Sequence, residues 1–441
     1  MHSFFCATQL SSTGLIEMTA LHLLTLISAA LFLQIIAGAG ITLWRRNNRL
    51  AQASQVAQAE TPATSQGAWS GWRDFRITRR EFEDTGQTQC SFYLEPVDGV
   101  ALPSFKPGQY LTFALQIGAD IGSSNDTKVI STVSSGGSLI RCYSLSDQPN
   151  SNTYRITIKR ASAPAEKPNL PPGAASNYFH DHVQVGDILK VKAPSGRFSI
   201  DVETSTPAVF IAGGIGITPM MSMLFWCLAN QATRELHLYY GVRNSTDHAF
   251  KQVLEELART HPLFKLHVAY SSPEPSDVQD VDYEQTGYID LVLLRNSLAH
   301  GQHQFYVCGP PPMMQTLVAA LRAWGVSEGA IHFEAFGPAS VQFKGAATNE
   351  PAANTSTSLD IRLSRTGRTL VWNAQDANLL DFVERQGVSV ESGCRTGSCG
   401  SCETKLVSGT VNYADKPDYH ITQGHCLLCV GKPQSALVLD L

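Results

Sequence analysis

The chain has 441 residues, about three times the length of a typical domain, so a single small binding module is excluded. Apolar residues make up 43% of the chain and charged residues 16%, which predicts folded domains rather than a disordered polypeptide. The formal net charge of −5 lacks the basic excess that binding of nucleic acid requires.

The N-terminal region is predicted to anchor the chain in a membrane. After a tail over residues 1–18, residues 19–44 contain no Lys, Arg, Asp or Glu. As a helix rising about 1.5 Å per residue, this segment would outspan a hydrocarbon core of about 30 Å. Arg45 and Arg46 follow it and no Lys or Arg precedes it, which favours a membrane anchor over a signal peptide and places the later domains in the cytoplasm. A buried core helix is the alternative, and Met18 offers an alternative start.

Two folded regions follow a polar linker over residues 45–70. Residues 71–205 contain short segments rich in β-branched and aromatic residues, separated by turns, which predicts an antiparallel barrel or sandwich. Residues 206–341 alternate apolar strands with helical segments, which predicts a parallel α/β sheet. The first of these strands ends in Gly213-Gly214-Ile215-Gly216, and Thr218 and Pro219 are predicted as the N-cap and first residue of the next helix.

A glycine turn between a strand and a helix suits a pyrophosphate, because the backbone can approach it and the helix supplies free N–H groups. Alone, the turn is a weak signal, and a purely structural turn is the alternative. The segments around the turn strengthen the signal. They are Gly71-Trp72-Arg73-Asp74-Phe75-Arg76, Pro107-Gly108-Gln109-Tyr110, Arg141-Cys142-Tyr143-Ser144-Leu145-Ser146, Ser176-Asn177-Tyr178, Cys308-Gly309-Pro310 and Phe333-Glu334-Ala335-Phe336-Gly337-Pro338.

In order and spacing, these segments resemble the ferredoxin-NADP reductase superfamily, and most closely the reductase portion of flavohaemoglobins. The resemblance implies an FAD-binding barrel and an NAD(P)-binding domain. It places Arg141 at an FAD phosphate, Tyr143 over the flavin ring and Ser144 near the reactive flavin nitrogen. The Ser-Asn-Tyr pattern favours FAD over FMN. The implied FAD-binding residues are Tyr110, Arg141, Cys142, Tyr143, Ser144, Gly173, Ser176 and Asn177.

The resemblance also implies a site for NADH or NADPH. Cys308 would border the hydride path, Glu334 would tune the redox potential of the flavin, and Phe336 would pack on the flavin ring. These three residues and Ser144 are the predicted catalytic set. Arg243 suits a 2′-phosphate, but the nearby Asp247 favours a free ribose, so the choice of nucleotide stays open. The implied nucleotide-binding residues are Gly213, Gly214, Gly216, Thr218, Pro219, Arg243, Cys308, Gly309 and Pro310.

The strongest motif lies in the last region, residues 359–441, after a small polar linker over residues 342–358. Cys394, Cys399 and Cys402, followed by Cys429, have the plant-type spacing of a [2Fe-2S] cluster. A structural zinc site is the alternative, but such sites usually pair two short Cys-x2-Cys motifs. Cys426 is the rival for the fourth ligand, and the resemblance to plant-type ferredoxins, which implies an α+β β-grasp fold, favours Cys429.

The order of flavin, nucleotide and cluster domains resembles phthalate dioxygenase reductase and its relatives. A nicotinamide donates two electrons at once, whereas a [2Fe-2S] cluster carries one, so a flavin between them converts one kind of transfer into the other. We therefore expect an NAD(P)H-dependent oxidoreductase with a membrane-associated acceptor protein such as an oxygenase, hydroxylase or desaturase. Direct reduction of quinone, oxygen or nitric oxide and a non-catalytic redox sensor are the alternatives.

Overall fold

A computed structural model describes residues 69–117, 139–163, 169, 171–336, 358–373 and 376–441. The expected tail, the membrane helix over residues 19–44 and nearly all of both linkers lie outside these ranges. Within them, no helix is long and apolar enough to cross a bilayer. The longest described helix has 14 residues, or about 21 Å, against a hydrocarbon core of about 30 Å. This finding contradicts the expected single-pass membrane topology with its N-terminal transmembrane helix.

The first sheet is an antiparallel barrel, as the sequence predicts. Its strand order is β4-β3-β6-β1-β2-β5, and a bridge between Leu145 and Ile156 closes the β4 edge onto β5. Phe75 and Ile77 point into the core on either side of the half-buried Arg76, the alternation expected for a strand with one buried face. The strands are β1 Arg73–Phe82, β2 Gln89–Pro96, β3 Tyr110–Leu115, β4 Leu139–Ser144, β5 Tyr154–Lys159 and β6 Ile188–Ser195, with helix α1 Ala174–Asp181 between β5 and β6.

The second sheet is parallel throughout, in the order β10-β9-β8-β7-β11-β12. Its strands are β7 Ala208–Gly213, β8 Leu236–Val242, β9 Phe264–Tyr270, β10 Gln285–Thr286, β11 Gln304–Cys308 and β12 Ile331–Glu334. Its helices are α2 Ile217–Asn230, α3 Lys251–Thr260, α4 Leu291–Ser297 and α5 Pro311–Ala323, with 3-10 turns Gly214–Gly216, Ser245–Asp247 and Glu328–Ala330. Phe210 of β7 packs toward α2 and Ile211 toward α5, so both faces of the sheet are covered.

The chain order reverses between β7 and β11 of this sheet. The carboxyl ends of these neighbouring strands, Gly213 and Cys308, therefore meet where open α/β sheets bind their ligands.

The third sheet is mixed, in the order β14-β13-β19-β15-β17, with a separate pair β16-β18 and one helix. Its own core surrounds Phe382 and Leu427, in line with the expected α+β domain. The elements are β13 Leu359–Leu363, β14 Thr369–Trp372, α6 Leu379–Arg385, β15 Glu403–Ser408, β16 Val411–Tyr413, β17 His425–Leu427, β18 Gly431–Pro433 and β19 Leu437–Leu439.

Candidate functional site

A cavity of about 770 Å³ is lined by residues from all three sheet regions. Three buried polar atoms on its lining residues have no hydrogen-bond partner in the protein: Tyr110 Oη, Ser144 Oγ and Glu334 Oε2. Burial raises the pKa of Glu334 to about 8. Buried polar atoms are normally satisfied, so these three require a ligand with donors and acceptors of its own. A polar heterocycle such as a flavin ring fits both this requirement and the volume.

Two glycine turns fix Tyr110 at this cavity. Gly108 has φ +107° and Gly196 has φ +116°, the region that side chains rarely adopt. A Cβ on Gly196 would lie 2.7 Å from the Tyr110 ring, so the ring packs directly on the glycine. Gln109 Nε2 donates to the Gly196 carbonyl at 3.2 Å and ties the two turns together.

The predicted FAD-binding residues fall into two groups. Tyr110, Arg141, Cys142 and Ser144 line the cavity, as do Glu334 and Phe336 of the predicted catalytic set. Tyr143 does not line it, because its ring packs on Phe113 and Phe179 at centroid distances of 5.9 and 5.2 Å. Its assignment to the flavin ring therefore stays a prediction.

The remaining FAD-binding candidates lie at the start of α1, outside the cavity lining. Ser176 Oγ and Asn177 Nδ2 donate to the Gly173 carbonyl at 3.0 and 2.9 Å. These side chains shape the helix start, which leaves only the first backbone N–H groups of the helix for a pyrophosphate. Their role in binding FAD also stays a prediction.

The glycine turn after β7 is packed more tightly against protein than a phosphate loop requires. A Cβ on Gly216 would lie 2.2 Å from the Cys308 carbonyl oxygen, and one on Gly309 would lie 3.0 Å from the Gly213 nitrogen. Gly214, by contrast, has φ +53° and nothing within 4 Å of a Cβ position. Gly213, Gly216 and Gly309 thus have a structural reason to be glycine, and Gly214 has the open space that a ligand needs.

The helix after this turn begins earlier than the sequence predicts. α2 starts at Ile217 with Gly216 as its N-cap, so Thr218 and Pro219 lie inside its first turn. The Thr218 hydroxyl donates to the Ile215 carbonyl at 3.1 Å instead of capping the helix. A 3-10 turn over the glycines leads directly into the helix, which starts two residues earlier than expected.

Cys308 and Arg243 differ in their access to a ligand. Cys308 is fully buried behind Gly216 and pairs with Glu334 of β12, and it does not line the cavity. Burial raises the pKa of Cys308, so it is a neutral thiol. The Arg243 side chain is 71% exposed and lies 3.8 Å from the Asp247 carboxylate, an arrangement that leaves NADH and NADPH both open.

The four predicted cluster ligands form two thiol pairs. The Cys394 N–H donates to the Cys399 sulfur at 3.3 Å, and the Cys429 N–H donates to the Cys402 sulfur at 3.4 Å. Two pairs suit a binuclear cluster, in which each iron takes two thiolates. Within the residues that the structure describes, no three His, Cys, Asp or Glu side chains converge on one metal ion, as a zinc site would require.

Backbone N–H groups point at the sulfurs of the predicted ligands. The N–H groups of Thr396 and Cys399 point at the Cys394 sulfur, and that of Cys429 at the Cys402 sulfur, each with a nitrogen-to-sulfur distance of 3.4 Å. Gly400, with φ +69°, packs on the Tyr419 ring, where a Cβ would clash at 2.1 Å. The surroundings therefore fit a cluster whose sulfurs accept N–H hydrogen bonds.

Cys426, the rival for the fourth ligand position, lies on β17 opposite Thr404 and is buried in the core of this domain. Burial raises its pKa to about 12. It therefore has the surroundings of a packing residue.

The cluster loop is fastened to the barrel by contacts that sequence reasoning missed. Lys192 Nζ donates to the Cys399 carbonyl at 3.1 Å, and Arg197 pairs with Asp418 at 2.7 Å. Arg197 also bonds the Lys416 carbonyl. These partners are more than 200 positions apart in the chain, and no local pattern marks them.

Three family models match the chain in succession. An oxidoreductase FAD-binding domain matches residues 105–200, an oxidoreductase NAD-binding domain matches residues 210–319, and a 2Fe-2S iron-sulfur cluster binding domain matches residues 361–434. The chain belongs to the ferredoxin-NADP reductase superfamily. The predicted FAD, NAD(P)H and [2Fe-2S] cofactors, the oxidoreductase class and the order of the domains are confirmed.

The chain is similar to several individual proteins. The chain is 40% identical over 272 residues to a flavohemoprotein of Rhizobium meliloti, covering 62% of each protein, so it spans about three fifths of that relative's length. It is 32% identical to the flavohemoprotein-like FAD/NAD-binding domain of nitric oxide dioxygenase from Vibrio cholerae, with 61% of this chain and all of that chain covered and a TM-score of 0.50. Phthalate dioxygenase reductase matches at 29% identity over 84% of this chain and 98% of its own, with a TM-score of 0.48.

Proposed function

We propose that this reductase takes electrons from NAD(P)H and delivers them to an acceptor protein such as an oxygenase, hydroxylase or desaturase. The observation that carries the proposal is the shared cavity. Tyr110 and Ser144 from the barrel, Glu334 and Phe336 from the end of the parallel sheet, and Cys394 from the cluster loop all line it. A group bound there would touch the nucleotide domain and the cluster loop together.

The bound groups supply the redox chemistry: NAD(P)H gives an electron pair, FAD accepts it and releases electrons singly, and the cluster carries one electron at a time. The chain supplies position. We propose that Ser144 and Glu334 hydrogen-bond the flavin through atoms that have no protein partner, and that Phe336 shields it from water. Arg141 would hold an FAD phosphate, Gly214 would receive the nucleotide pyrophosphate, and Cys394, Cys399, Cys402 and Cys429 would bind the irons.

The cores support the order of the domains that we propose, with Phe198 and Ile200, which precede residue 206, packed in a core of the parallel sheet. The barrel core, the two cores of the parallel sheet and the C-terminal core draw on separate stretches of the described chain. We therefore assign residues 71–205 to FAD, residues 206–341 to NAD(P)H and residues 359–441 to the cluster, and propose residues 342–358 as the linker between the last two.

Replacing one cluster ligand tests the function. Cys399→Ser should abolish NAD(P)H-dependent reduction of cytochrome c, which needs single electrons from the cluster, and retain reduction of ferricyanide by the flavin. Cys426→Ala is the matched control, because it removes a buried cysteine of the same domain that we do not assign as a ligand. Its cytochrome c activity should remain.

Other outcomes would refute the proposal. Negligible turnover of the wild-type chain with every acceptor would favour a redox sensor. Quinone reduction that is fast and unaffected by Cys399→Ser would favour a direct reductase of small acceptors. Loss of the cluster in Cys426→Ala, with retention in Cys429→Ala, would reverse the assignment of the fourth ligand.

A further inference from the structure

Cys142 connects the flavin strand to the cluster loop. It lies on β4 two residues before Ser144, and its sulfur is 3.4 Å from the Thr112 hydroxyl oxygen on the neighbouring strand. The Cys142 sulfur and the sulfur of Cys399, a predicted iron ligand from the C-terminal domain, lie 3.3 and 3.1 Å from the same point, the position of a Cβ built on Gly393. Cys142 is thus a cysteine of the barrel, outside the ligand set, that lies beside a ligand sulfur.

The absence of a side chain at Gly393 allows this contact. A Cβ built there would lie 3.1 Å from the Cys399 sulfur, 3.3 Å from the Cys142 sulfur and 3.2 Å from a methyl carbon of Ile140. Both sulfurs therefore border the same point. Any larger residue would push the ligand loop away from β4.

The direction of the hydrogen bond follows from ligation. A cysteine that binds iron is a thiolate, so Cys399 has no proton to give once the cluster is bound. In a hydrogen bond between the two sulfurs, Cys142 would then be the donor. The Cys399 sulfur also accepts from the Cys394 N–H and donates to the Ser401 hydroxyl oxygen, both at 3.3 Å, but these two partners belong to the ligand loop itself.

Hydrogen bonds to ligand sulfurs raise the reduction potential of a cluster, because they stabilise the added negative charge of the reduced state. We propose that Cys142 is a positioning residue that donates its S–H to the Cys399 sulfur, making the cluster easier to reduce and holding the iron of Cys394 and Cys399 toward the flavin strand. This inference rests on the proposed function. It adds a contact across the domain boundary that the ligand motif does not contain.

The test is a redox titration of the full chain, with the cluster followed by electron paramagnetic resonance. Cys142→Ala should lower the midpoint potential of the cluster. At the wild-type midpoint, the ratio of oxidised to reduced cluster should rise roughly two- to fivefold, as expected for the loss of one weak hydrogen bond. Cys142→Ser keeps a donor of similar size and should restore the wild-type midpoint.

Cys90→Ala is the matched control, because Cys90 is a buried barrel cysteine on β2 whose sulfur lies 3.7 Å from the Ser91 carbonyl oxygen. Its midpoint should equal that of the wild type. An unchanged midpoint in Cys142→Ala, or equal shifts in the alanine and serine variants, would overturn the inference and leave the reductase function standing. A wild-type chain that bound no iron would overturn both.

Discussion

His248 is an ionisable side chain that the fold holds in its neutral form. It is 2% exposed, its Nδ1 lies 2.9 Å from the Tyr270 hydroxyl, and its ring packs edge-on against Tyr240. Burial, with a smaller contribution from Lys251, lowers the pKa of His248 to about 3. The unfolded chain would protonate this residue near pH 6.5, so a stabilising contribution present at neutral pH is lost as the pH falls below that value.

Replacing His248 should therefore reduce the loss of unfolding free energy that occurs as the pH falls. Between pH 7.5 and 5.5, titration of this residue in the unfolded chain lowers the free energy of unfolding by about 1.4 kcal/mol. In His248→Asn, the difference in unfolding free energy between these pH values, measured in urea, should shrink by about that amount. The exposed His300→Asn is the control and should keep the wild-type difference. Equal pH dependence in both variants would contradict the prediction.

Gly216 is the residue at which the nucleotide loop tolerates least change. A Cβ there would meet the backbone carbonyl of Cys308 at 2.2 Å, and backbone cannot move aside as a flexible side chain can. Gly216→Ala should cost about 1–3 kcal/mol of stability and weaken binding of NAD(P)H. Denaturant unfolding and nucleotide titration would measure the two effects.

Gly329→Ala provides the comparison for this substitution. Gly329 has nothing within 4 Å of a Cβ position and lies in a short 3-10 turn, so alanine should change its stability by less than about 0.5 kcal/mol. If the two alanine variants were equally stable, the packing argument for Gly216 would fail.

At the scale of elements, the contact between the barrel and the cluster loop depends on two cations. Lys192 of β6 donates to the Cys399 carbonyl of the loop, and Arg197, in the turn after β6, pairs with Asp418 farther along the same domain. The Arg197 side chain is 53% exposed. Such exposed pairs contribute little to folding, about 0–1 kcal/mol each. Their effect should therefore appear in the fraction of molecules in which the C-terminal domain contacts the barrel.

The double substitution Lys192→Ala with Arg197→Ala should slow cytochrome c reduction roughly three- to tenfold and leave ferricyanide reduction unchanged. Steady-state assays at low ionic strength would measure both rates. Arg365→Ala is the control, because it breaks an exposed pair with Asp440 inside the C-terminal domain. A similar loss of cytochrome c reduction in Arg365→Ala would show that surface charge alone, and not this contact, sets the rate.

At the scale of the whole molecule, the separate cores predict stepwise unfolding. The C-terminal core is distinct from those of the barrel and the parallel sheet, and cluster binding should stabilise only the domain that holds the ligands. In scanning calorimetry, Cys399→Ser should lower the temperature of one transition and leave the others in place. A single transition that shifted as a whole would show that the regions unfold as one unit.

The sequence predicted those features that local patterns encode. The cysteine spacing predicted the four cluster ligands, and the change from alternating strands to apolar strands with helices predicted the barrel and the parallel sheet. The start of α2 was missed because a 3-10 turn over the glycines replaced the expected cap at Thr218. The apolar run over residues 19–44 predicted a membrane topology that the described helices do not support.

The contacts that unite the site could not be predicted in the same way. Cys142 meets Cys399, and Lys192 and Arg197 meet the cluster loop, only after three domains have folded and packed. No spacing rule joins residues so far apart in the chain. The same holds for the three unpartnered atoms of Tyr110, Ser144 and Glu334, whose common cavity is a product of tertiary structure.

The turn between β6 and the parallel sheet has a dual effect. Gly196 packs against the ring of Tyr110 at the cavity, and the next residue, Arg197, forms a salt bridge with Asp418 of the C-terminal domain. We therefore expect binding of the cofactor and contact of the C-terminal domain with the barrel to be thermodynamically coupled, and such coupling is reciprocal. A chain stripped of its flavin would hold its C-terminal domain less firmly, and a chain whose C-terminal domain had swung away would release flavin more readily.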